Sequence, residues 1–278
     1  MKVVIKIGGT LLEDAAARTR MAKRLRGAVD SNHQILVVHG GGKQLTAFLE
    51  RLGVKSEFRN GLRVTPEAAL DGVIKVFAGS VNHNFLSALY AEGVSAIGIS
   101  GIDGGCLLAE RLRGANGEDC GYVGRITGAN PRVWETILSG GMLPVMACIA
   151  VGSAVGEAGQ IYNVNADQAA VACAIRWQAD SLIFLTDVDG VQNAEGRLVS
   201  RIAAEEIAAL IGSGAVTGGM LAKLNAVEEA LVGGVPRIVI RNGRRDGVLD
   251  DMYAPGESSA DAPRGTVINS SLPVGKKV

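Results

Sequence analysis

The chain has 278 residues, 47% of them hydrophobic, with 28 basic and 28 acidic side chains and no formal net charge. That length and apolar content support a large buried core and exclude a disordered chain. The balanced charge excludes a basic field that would gather nucleic acid or an anionic membrane, so a small-molecule partner is expected.

The first predicted element is an apolar strand, Val3 to Ile7, that ends in Lys6-Ile7-Gly8-Gly9. A strand that delivers a cation and then bare backbone N–H groups to one place suits an anion, with phosphate the usual candidate. Lys6 also interrupts this run before it resembles a secretory core. Further β-branched runs follow at Ile35 to Val38, Ala96 to Ile99, Pro144 to Ile149, Leu182 to Leu185 and Arg237 to Ile240, with helical periodicity between several of them. The alternation predicts a mainly parallel sheet with helices on both faces. Gly93 to Gly128 is turn-rich and predicts a hairpin, as does Gly152 to Tyr162; Asp246 to Arg264 reads as an irregular loop before a last strand, Thr266 to Ile268. The longest apolar runs, such as Leu143 to Val151, fall short of the roughly 18 residues a membrane span needs, so no membrane partner and a cytoplasmic location are expected. The four cysteines, 106, 120, 148 and 173, are too scattered for a zinc knuckle or a redox pair. Three histidines argue against a multi-histidine metal site.

Glycine accounts for 38 residues, about twice the usual share, and clusters where strands end. Gly40-Gly41-Gly42 lies between a strand and a helix over Lys43 to Leu52, where amides favour an anion; alone, it reads equally as a tight turn. Neither common nucleotide fingerprint is present: Gly42-Lys43 is followed by Gln44 rather than Ser or Thr, and no G-x-G-x-x-G opens the first helix. Asn163-Val164-Asn165-Ala166-Asp167-Gln168 reads as a polar helix start before Ala169 to Gln178. Gly218-Gly219 opens another helix and is expected to place Lys223 near the end of its first turn, where a lone lysine is usually solvated. His39 is read as a turn residue beside the glycines, in preference to the alternative of a contact standing behind the site.

In combination these segments carry a resemblance. Lys6 to Gly9, His39 to Gly42, Asn60-Gly61-Leu62-Arg63-Val64-Thr65, Asn163 to Gln168, Thr186-Asp187-Val188-Asp189-Gly190-Val191 and Gly218 to Lys223 are similar, in this order, to motifs of the acetylglutamate kinases within the amino-acid kinase family. The resemblance runs from Met1 to about Gly243. It implies a three-layer α/β/α sandwich around a mainly parallel eight-stranded sheet. It also implies an acceptor lobe over residues 1–165 for N-acetyl-L-glutamate, and an ATP lobe over residues 166–278 that shares the sheet. The implied reaction is attack of a side-chain carboxylate on the γ-phosphorus of ATP, with Mg2+ on the phosphates and no protein metal ligand assigned.

A glutamate-type carboxyl is ionised at neutral pH, so this reaction needs no general base; it needs cations and positioning against anion repulsion. The resemblance assigns Lys6 and Lys223 to the migrating phosphoryl group, with Asp167 holding both ammonium groups. Gly8, Gly9, Gly41 and Gly42 are expected to supply N–H groups, Arg63 and Asn163 to bind the amino-acid end, and Thr186, Asp187, Gly190 and Gly219 to serve the nucleotide. Arginine-inhibited, ring-forming relatives carry an extra N-terminal helix and a His-containing C-terminal pattern, so a homodimer without arginine feedback is expected. The competing expectations are a kinase for N-succinylglutamate, carrier-linked aminoadipate or aspartate, a non-catalytic amino-acid sensor, and a dinucleotide-dependent dehydrogenase, whose glycine fingerprint is missing.

Overall fold

The computed structural model describes residues 1–250 and 265–270, except residues 32, 60, 115–116, 194, 213–215 and 217. Most of the loop expected between Asp246 and Arg264, and Asn60 of the Asn-Gly-Leu-Arg motif, therefore lie outside the described residues. The chain begins with β1 (Lys2–Ile7), a short 3-10 turn (Gly9–Leu12), α1 (Ala15–Asp30), β2 (Gln34–His39) and α2 (Gly42–Arg51). A minimal hairpin, β3 (Phe58–Arg59) and β4 (Leu62–Arg63), precedes α3 (Glu67–Val73), which runs through a π-helical stretch (Ile74–Val81) into α4 (Asn82–Ala91). Then come β5 (Ala96–Ser100), β6 (Leu107–Arg113), β7 (Asp119–Ala129), α5 (Arg132–Ser139), β8 (Leu143–Ala147), β9 (Ile149–Gly152) and β10 (Ile161–Asn163). The remainder is α6 (Ala166–Trp177), β11 (Ser181–Thr186), β12 (Arg201–Ala203), α7 (Ala204–Gly212), α8 (Gly218–Val232), β13 (Arg237–Asn242) and β14 (Thr266–Asn269).

Eight strands form one sheet in the order β12-β14-β13-β11-β1-β2-β8-β5. Among the described residues only the β13–β14 pairing of that sheet is antiparallel. The central strands are buried on both faces and so carry continuous apolar sequence: Val3, Val4, Ile5 and Ile7 of β1 are each no more than 1% exposed. Each such side chain contributes roughly 1.5–3 kcal/mol by its burial. α1 is started by Asp14, whose carboxylate accepts the Ala17 N–H at 2.7 Å, and it buries Met21, Ala22, Leu25 and Ala28, a one-sided stripe. It packs with α4, while α6 packs on β1, β11 and α8; Trp134 of α5 meets Trp177 of α6 edge to face.

Both expected hairpins are present. β6 pairs antiparallel with β7 and β9 with β10, and these four strands close on one another beside the main sheet. The run read as Pro144 to Ile149 breaks at Cys148 into β8 and β9. All four cysteines are buried and free. The sheet order places β11, β1 and β2 side by side and parallel, so their carboxyl ends open onto one edge, where α/β sheets bind ligands.

Candidate active site

Three segments meet at that edge. β1 ends in Lys6, whose Cα is in register with Val38 of β2 and Phe184 of β11. α6 begins immediately after β10, earlier than its alanine run suggested, because Asn165 caps it: its Oδ1 accepts the N–H groups of Asp167 at 2.8 Å and Gln168 at 3.2 Å. This fixes Asp167 in the first turn. From the far end of the chain, α8 brings Lys223.

The three side chains converge. Lys6 Nζ lies 2.7 Å from Asp167 Oδ1, and Lys223 Nζ lies 2.7 Å from Asp167 Oδ2. Burial alone would raise the Asp167 carboxyl, but the ammonium groups of Lys6 and Lys223 outweigh it and hold it well below the usual carboxylate range. Burial, then the neighbouring Lys6 charge, pulls Lys223 below the ordinary lysine value against the attraction of Asp167. Lys223 is only 6% exposed and sits 4.8 Å from the Phe184 ring centroid. It occupies the second turn of α8, which starts at Gly218, rather than the end of the first as expected, and it is buried where a lone lysine would be solvated.

The glycine loops are packed together. A Cβ on Gly9 would stand 3.4 Å from Gly42 N and 3.5 Å from Gly41 Cα, and a Cβ on Gly41 would meet Phe77 and Val81 at 3.0 Å. Gly42, Lys43 and Gln44 open α2, so their N–H groups have no intrahelical acceptor. Gly8 departs from expectation: its N–H donates to Leu185 O at 2.9 Å, so the β1–β11 ladder consumes the amide that was expected to face phosphate. Gly190 departs too. Its φ is +147°, and a Cβ there would stand 2.6 Å from Thr266 Oγ1 and 2.7 Å from Leu198 Cδ1, so close packing against β14 accounts for this glycine. Gly219 faces open space.

Arg63 is 8% exposed. Its guanidinium donates to Gly42 O at 3.0 Å, to Thr46 Oγ1 at 2.6 Å and to Ser56 Oγ, and lies 4.5 Å from the Phe58 ring centroid. No carboxylate pairs with it among the described residues, leaving a buried cation at the mouth of α2. Burial pulls its pKa down from the ordinary arginine value. Asn163, on β10 rather than in the helix start, donates to Thr65 Oγ1 at 3.0 Å, and Thr65 donates to Arg63 O at 2.9 Å. Thr186 Oγ1 and Asp187 Oδ1 lie 3.3 Å apart at the end of β11.

Sequence reasoning missed three groups. Gln44 Nε2 donates to Gly9 O at 3.0 Å and so joins the two glycine loops. Asp189 accepts from Asn242 at 2.8 Å and from Arg245 Nε at 2.7 Å, fastening the end of β11 to that of β13; the Arg245 and Asn242 hydrogen bonds hold its carboxyl below the ordinary range. His39, read as a turn residue, is fully buried as the last residue of β2. The adjacent HGGG run was the only local signal for it.

A mainly parallel sheet at whose carboxyl edge an ammonium group from β1 and one from α8 share a single carboxylate, beside free helix-start amides, defines an α/β protein with an anion-binding edge. Residues 1–242 match the Amino acid kinase family, and the chain belongs to that family. It is 46% identical over 257 residues to the acetylglutamate kinase of Solibacter usitatus, covering 92% of this chain and 97% of that protein. It is 41% identical over 252 residues to the acetylglutamate kinase of Acidobacterium capsulatum, covering 91% and 95%. The fold also superimposes, with a TM-score of 0.83 and 26% identity, on N-acetylglutamate synthase from Neisseria gonorrhoeae complexed with coenzyme A and N-acetyl-glutamate, over 98% of this chain and 60% of that one.

Proposed function

We propose that this chain transfers the γ-phosphoryl group of ATP to the side-chain carboxylate of N-acetyl-L-glutamate, giving N-acetylglutamyl 5-phosphate for arginine biosynthesis. The observation that carries the reading is the Lys6–Asp167–Lys223 cluster, with both ammonium groups 2.7 Å from one carboxylate. The substrate carboxylate attacks phosphorus, the bond to the ADP oxygen breaks, and no proton has to move. The two lysines offset charge on the equatorial and leaving oxygens, and Asp167 keeps them apart and aimed. Gly9 and Gly41, where a Cβ would press on the other glycine loop or on Phe77 and Val81, let the two loops pack together beside the reacting groups.

The acceptor end falls to Arg63, whose unpaired guanidinium suits an α-carboxylate, and to Asn163. These lie within residues 1–165, while Thr186, Asp187, Gly219 and Lys223 serve the nucleotide within residues 166–278; both parts contribute strands to the one sheet. Mg2+ would ride on the ATP phosphates and neutralise their charge there, with no protein ligand assigned. No described helix is long and apolar enough to cross a membrane, which accords with a cytoplasmic enzyme. The β5 edge, unpaired among the described residues, and Tyr90, 84% exposed on the adjoining α4, suit a homodimer.

Trapping the acyl phosphate with hydroxylamine tests the reading. With ATP, hydroxamate is expected from N-acetylglutamate. Product from N-succinylglutamate alone would reassign the acyl group, and product only from free glutamate or aspartate would overturn the proposal.

A further inference from the structure

The fully buried His39 touches neither lysine nor Asp167 in the contacts described, yet its ring is held at both nitrogens. Nδ1 lies 2.9 Å from Gly40 O, and Nε2 lies 2.9 Å from Asn82 Nδ2. The same Asn82 nitrogen donates to Val145 O at 3.0 Å. Asn82 is 1% exposed, and its Oδ1 is buried without a partner.

Donor and acceptor rules decide the protonation of this chain. A backbone carbonyl only accepts, so Val145 O demands the NH2 side of the Asn82 amide and excludes the flipped orientation. The second hydrogen of that NH2 then points at His39 Nε2, which must accept. The ring proton therefore sits on Nδ1 and donates to Gly40 O. Asn82 leaves its own Oδ1 unsatisfied to keep this arrangement, and an unpaired buried acceptor is unfavourable. Glycine at 98 leaves the space that Oδ1 occupies, since a Cβ there would collide with it. Burial pushes the His39 imidazole down to about 4, so the ring is neutral at pH 7.

The consequence lies in the next peptide. The Gly40 C=O and Gly41 N–H belong to one planar trans unit and point in opposite directions. With the carbonyl turned onto the His39 ring, the Gly41 N–H points away from it. Gly41 is buried, and no protein acceptor for its N–H is found among the described residues. Its Cα borders Gly9 across the loop contact. Glycine can rotate this peptide freely, so something must hold it.

We propose that His39, in its Nδ1–H tautomer set by Asn82 and Val145, is a positioning residue that locks the Gly40–Gly41 peptide so that the Gly41 N–H faces the migrating phosphoryl group. The proposal rests on the kinase reading above and adds to it a residue that never meets substrate. His39 supplies no proton; it removes the flipped state of a glycine peptide whose amide would otherwise be absent from the transition state.

The test uses kinetics and one spectroscopic measurement. His39→Leu should lower kcat about 10- to 100-fold, the range seen when an outer support of a catalytic group is lost, with KM for ATP and N-acetylglutamate changed less than about threefold. His39→Asn keeps an N–H donor where Nδ1 stands and should recover most of kcat. A folded His39→Leu protein with the parent kcat, or a His39→Asn protein no better than His39→Leu, overturns the proposal while leaving the kinase reading intact. Independently, a long-range 1H–15N spectrum of the parent protein with labelled histidine should show the His39 proton on Nδ1. A proton on Nε2 overturns the proposal even if the variants fail to fold or the parent proves to be no kinase.

Discussion

Asn at position 167 is the perturbation that most directly probes the cluster. Asp167→Asn keeps the shape of the side chain and removes the charge that stands 2.7 Å from both Lys6 and Lys223. At an effective dielectric constant near 20, each contact is a gross attraction of about 6 kcal/mol, but the net loss is smaller because desolvation of the carboxylate is recovered. Breaking a buried pair by removing one partner costs about 3–5 kcal/mol. A second route gives a ceiling. The variant can shed a proton from one lysine, and neutralising a group of ordinary pKa near 10.4 at pH 7 costs at most about 4.6 kcal/mol. In a chain of this length each kcal/mol moves Tm by roughly 2 °C, so the expected fall is about 6–10 °C.

The pH dependence has a definite sign. In the variant the folded lysine pKa lies below the unfolded one, so the unfolded state binds more protons between the two and stability rises with pH; the Tm gap to the parent should narrow from pH 7 to 9. In the parent, the depressed Asp167 carboxyl contributes stability that is present above the unfolded value near 3.9 and is lost as pH falls toward its folded value. Melting curves across that range read both effects, and calorimetric titration with inorganic triphosphate should show tighter binding to the variant, whose lysines lack a competing anion and are held protonated by the bound anion. A variant that melts within about 2 °C of the parent at pH 7, with no narrowing at higher pH and no gain in triphosphate affinity, would refute the reasoning.

Lys223→Ala should fold, with an unchanged circular dichroism spectrum, and lose about 10²- to 10³-fold in kcat, as when one preorganised donor to transition-state charge is removed; a loss below tenfold in the hydroxylamine assay contradicts the assignment. Arg63→Lys forfeits the fork that serves Gly42 O, Thr46 and Ser56. It should raise KM for the amino acid roughly 10-fold or more with a smaller effect on kcat, measured by steady-state kinetics at saturating ATP. Gly190→Ala places a Cβ 2.6 Å from Thr266 Oγ1 and should lower stability by about 1–3 kcal/mol while leaving KM for ATP unchanged; the reverse pattern, in melts and kinetics, would restore Gly190 to the nucleotide site.

Local sequence determined a good deal. Continuous β-branched runs require burial on both faces, which gave β1, β2, β11 and β13 their positions; Asn165 could start a helix, and glycines at strand ends could bring backbone close to an anion. Each of these follows from a residue and its near neighbours in the chain. Tertiary structure decided the rest, because it depends on which strands lie side by side and which helices cover them. Residues 6, 167 and 223 meet only because β1 is threaded between β2 and β11 and because α6 packs on α8. The same non-local pairing occupies the Gly8 amide through Leu185, folds Arg63 against α2, closes β14 over Gly190 and buries His39 against Asn82. No periodicity in the chain encodes those contacts, since periodicity reports which face of an element is apolar and not which distant element will cover it.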